Sequence, residues 1–154
     1  MSKAVFGAGC FWGVEKKFSE LKGVTKTEVG YSQGINEKTS YEEVCQGNTN
    51  HVEVVLVEYD ENILTYENLV HFFYKIHDPT TPNQQGPDRG IQYRSLIGVF
   101  NDDQKKKATD IVEDLNREQF NQKITTTIED VNNYCTAEEY HQKYIEKKYS
   151  FLNI

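Results

Sequence analysis

The sequence predicts an α+β fold, a two-layer sandwich with a mixed sheet. Three observations carry this. Segments with period-two apolar alternation take turns with segments whose apolar residues recur every three to four positions, in the order β-α-β-β-α-β-α-β-α. Hairpin-like neighbours occur alongside the strand-helix alternation, so one sheet contains both antiparallel and crossover-linked strands. Finally, 154 residues with 37% hydrophobic and 27% charged content, without internal repeat or linker, suit one domain spanning 1–154.

The elements follow in order. Lys3-Ala4-Val5-Phe6 reads as a short buried strand, and the small residues Gly7-Ala8-Gly9 permit a sharp turn after it. Phe11, Val14, Phe18 and Leu21 then recur at helical spacing up to a glycine stop at Gly23. Val24 to Tyr31 is a strand, and Ser32 to Asn50 a polar excursion carrying Tyr41. His51 to Tyr59 is the clearest strand: Val52, Val54 and Leu56 face one way, Glu53, Val55 and Val57 the other, so it is buried on both sides. Thr65 caps a helix with Tyr66, Leu69, Val70, Phe73 and Ile76 on its apolar stripe. From Asp78 to Gln92 periodicity vanishes and all three prolines fall together, the mark of a long site-forming loop. Arg94 to Phe100 is a strand, Asn101-Asp102 opens a helix, and Ile124 to Val131 alternates as the last strand. Thr136-Ala137-Glu138-Glu139 is a capping box, which predicts a final helix through Tyr144 and Ile145.

Composition narrows the classes of function. A formal net charge of −7 argues against nucleic acid or an anionic membrane as partner. No run approaches the length of a transmembrane helix, and Met1-Ser2-Lys3 leads straight into the first strand without a signal-peptide pattern. Three cysteines, Cys10, Cys45 and Cys135, form no CxxC and no zinc spacing, so no metal is expected. They suit a reducing cytoplasm with at least one thiol left for chemistry, and the negative charge and short chain suit a monomer.

Cys10 stands where a strand hands over to a helix, flanked by Phe11 and Trp12. Backbone N–H groups and the positive helix end converge there and favour a thiolate nucleophile. The plain alternative is a small buried Cys under a helix cap. Glu53 lies mid-strand among valines, which raises a carboxyl pKa and suits a proton donor; the alternative is a glutamate reaching water at a strand edge. Tyr41 and Tyr93 sit on the two long loops and offer phenolic hydroxyls, or simply pack there. Asp88 and Arg94 flank the second loop, where an ion pair between them is the simplest reading. His51 and His141 raise a Cys-His hydrolase as a competing possibility.

The segments Gly9-Cys10-Phe11-Trp12-Gly13, Thr39 to Cys45, His51-Val52-Glu53, Gln92-Tyr93-Arg94-Ser95 and Ala137 to Gln142 together resemble the A-type peptide methionine sulfoxide reductases over nearly the whole chain. The resemblance implies a ferredoxin-like core with long active-site loops and a single catalytic domain. It implies that Cys10 attacks the sulfoxide sulfur of free or protein-bound methionine-S-sulfoxide and becomes a sulfenic acid. Glu53 would give the proton, Tyr41 and Tyr93 would hydrogen-bond the oxygen, Asp88 would order the polar side, and Phe11 and Trp12 would cup the methyl group. No bound cofactor is implied, but an external thiol is: thioredoxin, glutaredoxin or a small thiol.

Many relatives resolve the sulfenic acid with a cysteine in a glycine-rich tail, whereas this chain ends Lys147 to Ile154 without one. Direct attack by the external thiol therefore ranks first. Cys135 comes second, because it precedes Thr136 at an expected helix N-terminus, and Cys45 third. The competing classes are a thiol peroxidase, a Cys-His hydrolase and a non-catalytic ferredoxin-like binding module.

Overall fold

A computed structural model gives the fold and describes residues 2–150. The last four residues of the C-terminal run named above lie outside them. Six strands form the main sheet: β1 (Ser2–Ala8), β2 (Val24–Ser32), β3 (Val52–Tyr59), β6 (Ser95–Val99), β7 (Thr127–Asp130) and β8 (Cys135–Thr136), in the order β7-β6-β1-β3-β2-β8. β6 pairs with β7 in parallel and the other pairs run antiparallel, so the sheet is mixed. Within it, β1, β2, β3 and β6 with helices α1 (Phe11–Ser19) and α3 (Tyr66–Lys75) make a β-α-β-β-α-β unit, the ferredoxin-like arrangement.

The alternation in β3 divides the interior as expected. Val55 and Val57 join the larger core with Val14 and Phe18 of α1, Leu69, Val70 and Phe73 of α3, and Ala108 and Leu115 of α4 (Asp102–Glu118). Val52 and Val54 point the other way, to Val5 and Leu96, with Val131 and Tyr134 packed against them. Phe6 is the hinge of the larger core, with ring centroids 5.2 Å from both Phe18 and Phe73. Burying such a side chain contributes roughly 1.5–3 kcal/mol.

Three expectations need correction. The excursion 32–50 contains a helical turn, α2 (Tyr41–Cys45), whose cap Ser40 accepts a hydrogen bond from Glu43 N. The proline-rich loop is not structureless: Gln84–Gln85 (β4) and Asp88–Arg89 (β5) pair as a small hairpin, followed by a 3-10 turn over Ile91–Tyr93. Most consequentially, Thr136 opens no helix. Cys135 and Thr136 pair with Tyr31 and Gly30 as an edge strand, a 3-10 turn follows at Glu139–His141, and only then comes α5 (Tyr144–Ser150). The missing side chain of Gly30 permits this, since a Cβ there would lie 2.7 Å from the Cys135 carbonyl oxygen. Tertiary pairing overrides the local capping pattern.

Candidate active site

β1 ends at Ala8, and Gly9 turns the chain with a φ of +100°. A Cβ at Gly9 would come within 2.8 Å of Gln85, so the β4–β5 hairpin packs directly on this turn. Gln85 is itself fixed: its Oε1 accepts from Asp78 N at 2.9 Å, and its Nε2 donates to the Asp78 carbonyl at 2.7 Å. Cys10 then takes the N-cap position of α1 and is half-buried. The Trp12 and Gly13 N–H groups do favour its thiolate. Burial outweighs them, and the Glu53 and Asp88 carboxylates add to it, so the thiol is pushed up to about 11. The expectation of a resting thiolate is thereby overturned: at neutral pH Cys10 is a thiol.

Glu53 occupies the middle of β3 and is 1% exposed. Phe11 N donates to its Oε1 at 3.2 Å, while Oε2 is buried with no partner among the described residues. Burial raises its pKa from the usual carboxyl range to about 8, against the Phe11 N–H and with help from Asp88. A neutral acid with a free oxygen therefore sits beside a neutral thiol.

Tyr41, at the start of α2, is tied down by Glu138, whose two oxygens accept from Tyr41 N at 3.0 Å and from Tyr31 Oη at 2.8 Å. Burial first, then a hydrogen bond with the Cys45 thiol, raises the Tyr41 phenol above its ordinary range. Tyr93 is pushed up to about 12, by burial and then by the charges of Glu53, Cys45, Asp88 and Cys10. Cys10, Glu53, Tyr41, Tyr93 and Asp88 thus share one electrostatic neighbourhood. Asp88 lies in β5, and Arg94 does not pair with it: the guanidinium donates to the Ile91 and Asn50 carbonyls and ties two loops together.

The aromatic pair divides. Phe11 is fully buried, 5.6 Å from the Tyr31 ring, whereas Trp12 is half-buried, stacked on Tyr144 at 3.9 Å and 12°. Trp12 Nε1 donates to His141 Nδ1 at 2.8 Å. The other candidate, His51, is bonded through Nε2 to the Asn36 carbonyl. Neither imidazole has a hydrogen bond to Cys10 among the described residues, so nothing here supports a Cys-His dyad. No group of three or more metal-ligating side chains occurs among those residues either.

All three cysteines are free. β8 lies three strands from β1, about 14 Å at ~4.8 Å per strand. Cys10 itself caps α1, and Cys135 is held on the sheet edge by its pairing with Tyr31. Cys135 also lacks the helix N-terminus expected beside it, and burial raises its thiol. Cys45 is exposed at the end of α2, bonded to Tyr41 and close enough to Glu53 and Tyr93 to shift them or be shifted. Of the two, Cys45 stands on the side of the site. Sequence reasoning missed Glu138 as the clamp on Tyr41, and missed α2 although Ser40-x-x-Glu43 is a capping box in plain view.

A family model described as "Peptide methionine sulfoxide reductase" matches residues 2–153. The chain belongs to this family. It is 51% identical over 148 residues to the peptide methionine sulfoxide reductase MsrA of Pelagibacter ubique, covering 96% of this chain and 100% of that one. Its fold is similar to reduced Mxr1 of Saccharomyces cerevisiae, with a TM-score of 0.90, 38% identity and coverage of 95% and 84%. It also resembles Mxr1 in complex with Trx2, with a TM-score of 0.66, 26% identity and coverage of 93% and 84%. The reaction follows from the family: the protein is an oxidoreductase that reduces methionine sulfoxide. No helix among the described residues is long and apolar enough to cross a membrane.

Proposed function

We propose that residues 1–154 form one catalytic domain in which Cys10 reduces methionine-S-sulfoxide, free or in proteins, with Glu53 as the acid. The observation that carries this is the buried Glu53 Oε2, unpartnered among the described residues, next to the half-buried Cys10. A sulfoxide sulfur is a poor electrophile until its oxygen is protonated. The sulfoxide oxygen gives Oε2 the acceptor it lacks, with the Tyr41 and Tyr93 hydroxyls as further donors and the Asp88 carboxylate ordering the polar side. Glu53 protonates that oxygen as the Cys10 sulfur attacks, and the thiol proton restores the carboxyl. The bond so formed between the Cys10 sulfur and the substrate sulfur then breaks together with the substrate S–O bond as the hydroxyl passes to the Cys10 sulfur, leaving a sulfenic acid there and methionine as the thioether. Trp12, with Phe11 packed behind it, forms the apolar wall for the methyl group.

An external thiol then displaces water from the sulfenic acid to give a mixed disulfide, and a second thiol releases Cys10. Burial raises the Cys135 thiol, which supports this route over attack by Cys135, and the solved complex of the similar Mxr1 with Trx2 supports a thioredoxin as the thiol. Glutaredoxin or a small thiol would serve the same chemistry. The reading includes a monomeric, cytoplasmic enzyme.

One experiment tests both halves. Reduced protein receives one equivalent of methionine-S-sulfoxide without reductant, in wild type and Cys10→Ser, and methionine and free thiols are counted. The expected outcome is one methionine formed, one thiol lost and a trappable sulfenic acid in wild type, with nothing in Cys10→Ser. Turnover by Cys10→Ser defeats the nucleophile assignment. Loss of two thiols with a Cys10–Cys45 or Cys10–Cys135 peptide replaces the external thiol by an internal resolver.

A further inference from the structure

We propose that His141 is a positioning residue: by accepting the Trp12 indole N–H it fixes the wall against which the substrate methyl group rests. The inference deepens the reading above and depends on Trp12 meeting the substrate.

An indole N–H only donates, so the 2.8 Å contact makes His141 Nδ1 an acceptor and puts the ring proton on Nε2. That Nε2–H is buried in a side chain 1% exposed and has no partner among the described residues. A phenylalanine or leucine would fill the same space between Phe11, Tyr41 and Tyr140, whose rings lie 5.2, 4.6 and 4.1 Å away, without stranding a donor. What the imidazole adds is the acceptor for Trp12. The two contacts on the indole are complementary. Stacking on Tyr144 at 3.9 Å fixes the plane but leaves the ring free to slide and turn within it, and the Nε1–H bond removes that freedom.

His141 is itself held from both sides along the chain. Glu138 joins Tyr31 and Tyr41, and the Gln142 amide makes a two-way bond with the backbone of Val29 at 2.9 Å each way. Lys143 N then donates to the buried Glu15 carboxylate at 2.7 Å, anchoring the turn to α1. Placement of the indole thus depends on a chain segment remote in sequence from Cys10.

Protonation at Nδ1 would turn the acceptor into a donor and break the bond. The groups facing the ring are Glu138 and Tyr140 from its own segment and Tyr41 from α2; α1 contributes only the uncharged Phe11 and Trp12. Burial holds the imidazole below its usual range against the pull of Glu138, so the bond is intact at neutral pH and fails on acidification.

Trp12 is the single tryptophan of the chain, so intrinsic fluorescence reports on it alone. The test uses the full chain as wild type, His141→Leu and His141→Asn, the last retaining a side-chain acceptor. Wild-type emission should titrate with a midpoint below 6.5, and the titration should vanish in both variants. KM for methionine sulfoxide should rise about three- to tenfold in His141→Leu, the worth of one hydrogen bond, with kcat within about twofold and partial recovery in His141→Asn. Emission that does not titrate, or an unchanged KM in a folded variant, overturns the proposal. Where circular dichroism shows His141→Leu unfolded, wild-type emission and His141→Asn decide. The emission arm needs no turnover, so failure of the Cys10 assignment and failure of this inference are read separately.

Discussion

The two ends of the sheet make a useful contrast. At the end marked by Ser2 and Tyr59, a cleft of about 460 Å³ is lined by Lys3, Tyr66, Phe100, Gln104 and Lys107 among others. Its polar groups are largely matched. Thr65 and Asn101 cap α3 and α4, Lys107 pairs with Asp103 at 2.9 Å, and Lys3 reaches Glu58 at 3.7 Å. Among the described residues the buried Tyr66 hydroxyl lacks a partner. At the Cys10 end, the buried atoms without partners among the described residues include the Glu53 carboxyl Oε2 and the His141 imidazole Nε2. Leaving such atoms unpaired is unfavourable, and folding alone gives no reason to keep them. The chemistry therefore sits where compensation is missing, not where the cleft is roomy.

The largest expected effect comes from removing the uncompensated acid. Glu53→Gln keeps a donor but cannot transfer a proton, so the single-turnover rate should fall roughly 10²–10⁴-fold. The wild-type rate should fall as pH rises through about 8, where Glu53 loses its proton, and that limb should be absent in Glu53→Gln. Stability carries the same signature. The native carboxyl holds its proton up to about 8 and the unfolded one only to about 4.5, so native stability falls as pH rises across that window. Thermal melts at the two sides of the window should show the loss in wild type and not in the variant. The Cys10 thiol should also titrate below its value of about 11 once the carboxylate is gone, read by alkylation rate against pH. Equal rates for the two proteins at neutral pH would make Glu53 structural.

Much of this contrast was legible beforehand, and the exceptions share a cause. The both-faced apolar pattern of β3 placed Glu53 inside, and the Gly-Ala approach placed Cys10 at a helix start, because both depend on periodicity within a few residues. The capping pattern is a poor guide at two places, overlooked at one and overread at the other. Ser40-x-x-Glu43 makes a helical turn inside what reads as loop, whereas Thr136-x-x-Glu139 makes none, because Gly30 admits Cys135 and Thr136 to the sheet edge. The thiol of Cys10 went astray for a similar reason. Helix geometry is local, but the burial and the Asp88 and Glu53 charges that outweigh it arrive from β3 and β5. The clamps on Tyr41 and Trp12, Glu138 and His141, are about 100 residues or more from their partners and carry no pattern at short range.

A smaller effect separates wall from chemistry. Trp12→Ala removes the half-buried indole and should weaken substrate binding by at most a few kcal/mol, the scale of burying one large side chain. KM should carry most of the loss, with the single-turnover rate at saturation changing far less than in Glu53→Gln. Unchanged affinity for the sulfoxide would move the methyl site away from Trp12.

The smallest effect on activity belongs to the compensated end, where Gln104→Ala is the sharpest probe. Gln104 is buried, and its amide answers two backbone groups from different strand ends: Oε1 accepts from Phe100 N at 3.1 Å, and Nε2 donates to the Lys3 carbonyl at 2.8 Å. Truncation leaves both unanswered unless water enters from the cleft, so stability should drop by about 1–3 kcal/mol. Denaturant unfolding measures that loss, and the midpoint should move while the m-value does not. The single-turnover rate and KM of the folded fraction should stay at wild-type values, because Gln104 lies at the opposite end of β1 from Cys10. A loss of rate without a loss of stability would break the division between the two ends, since a fully matched polar group would then be serving the reaction.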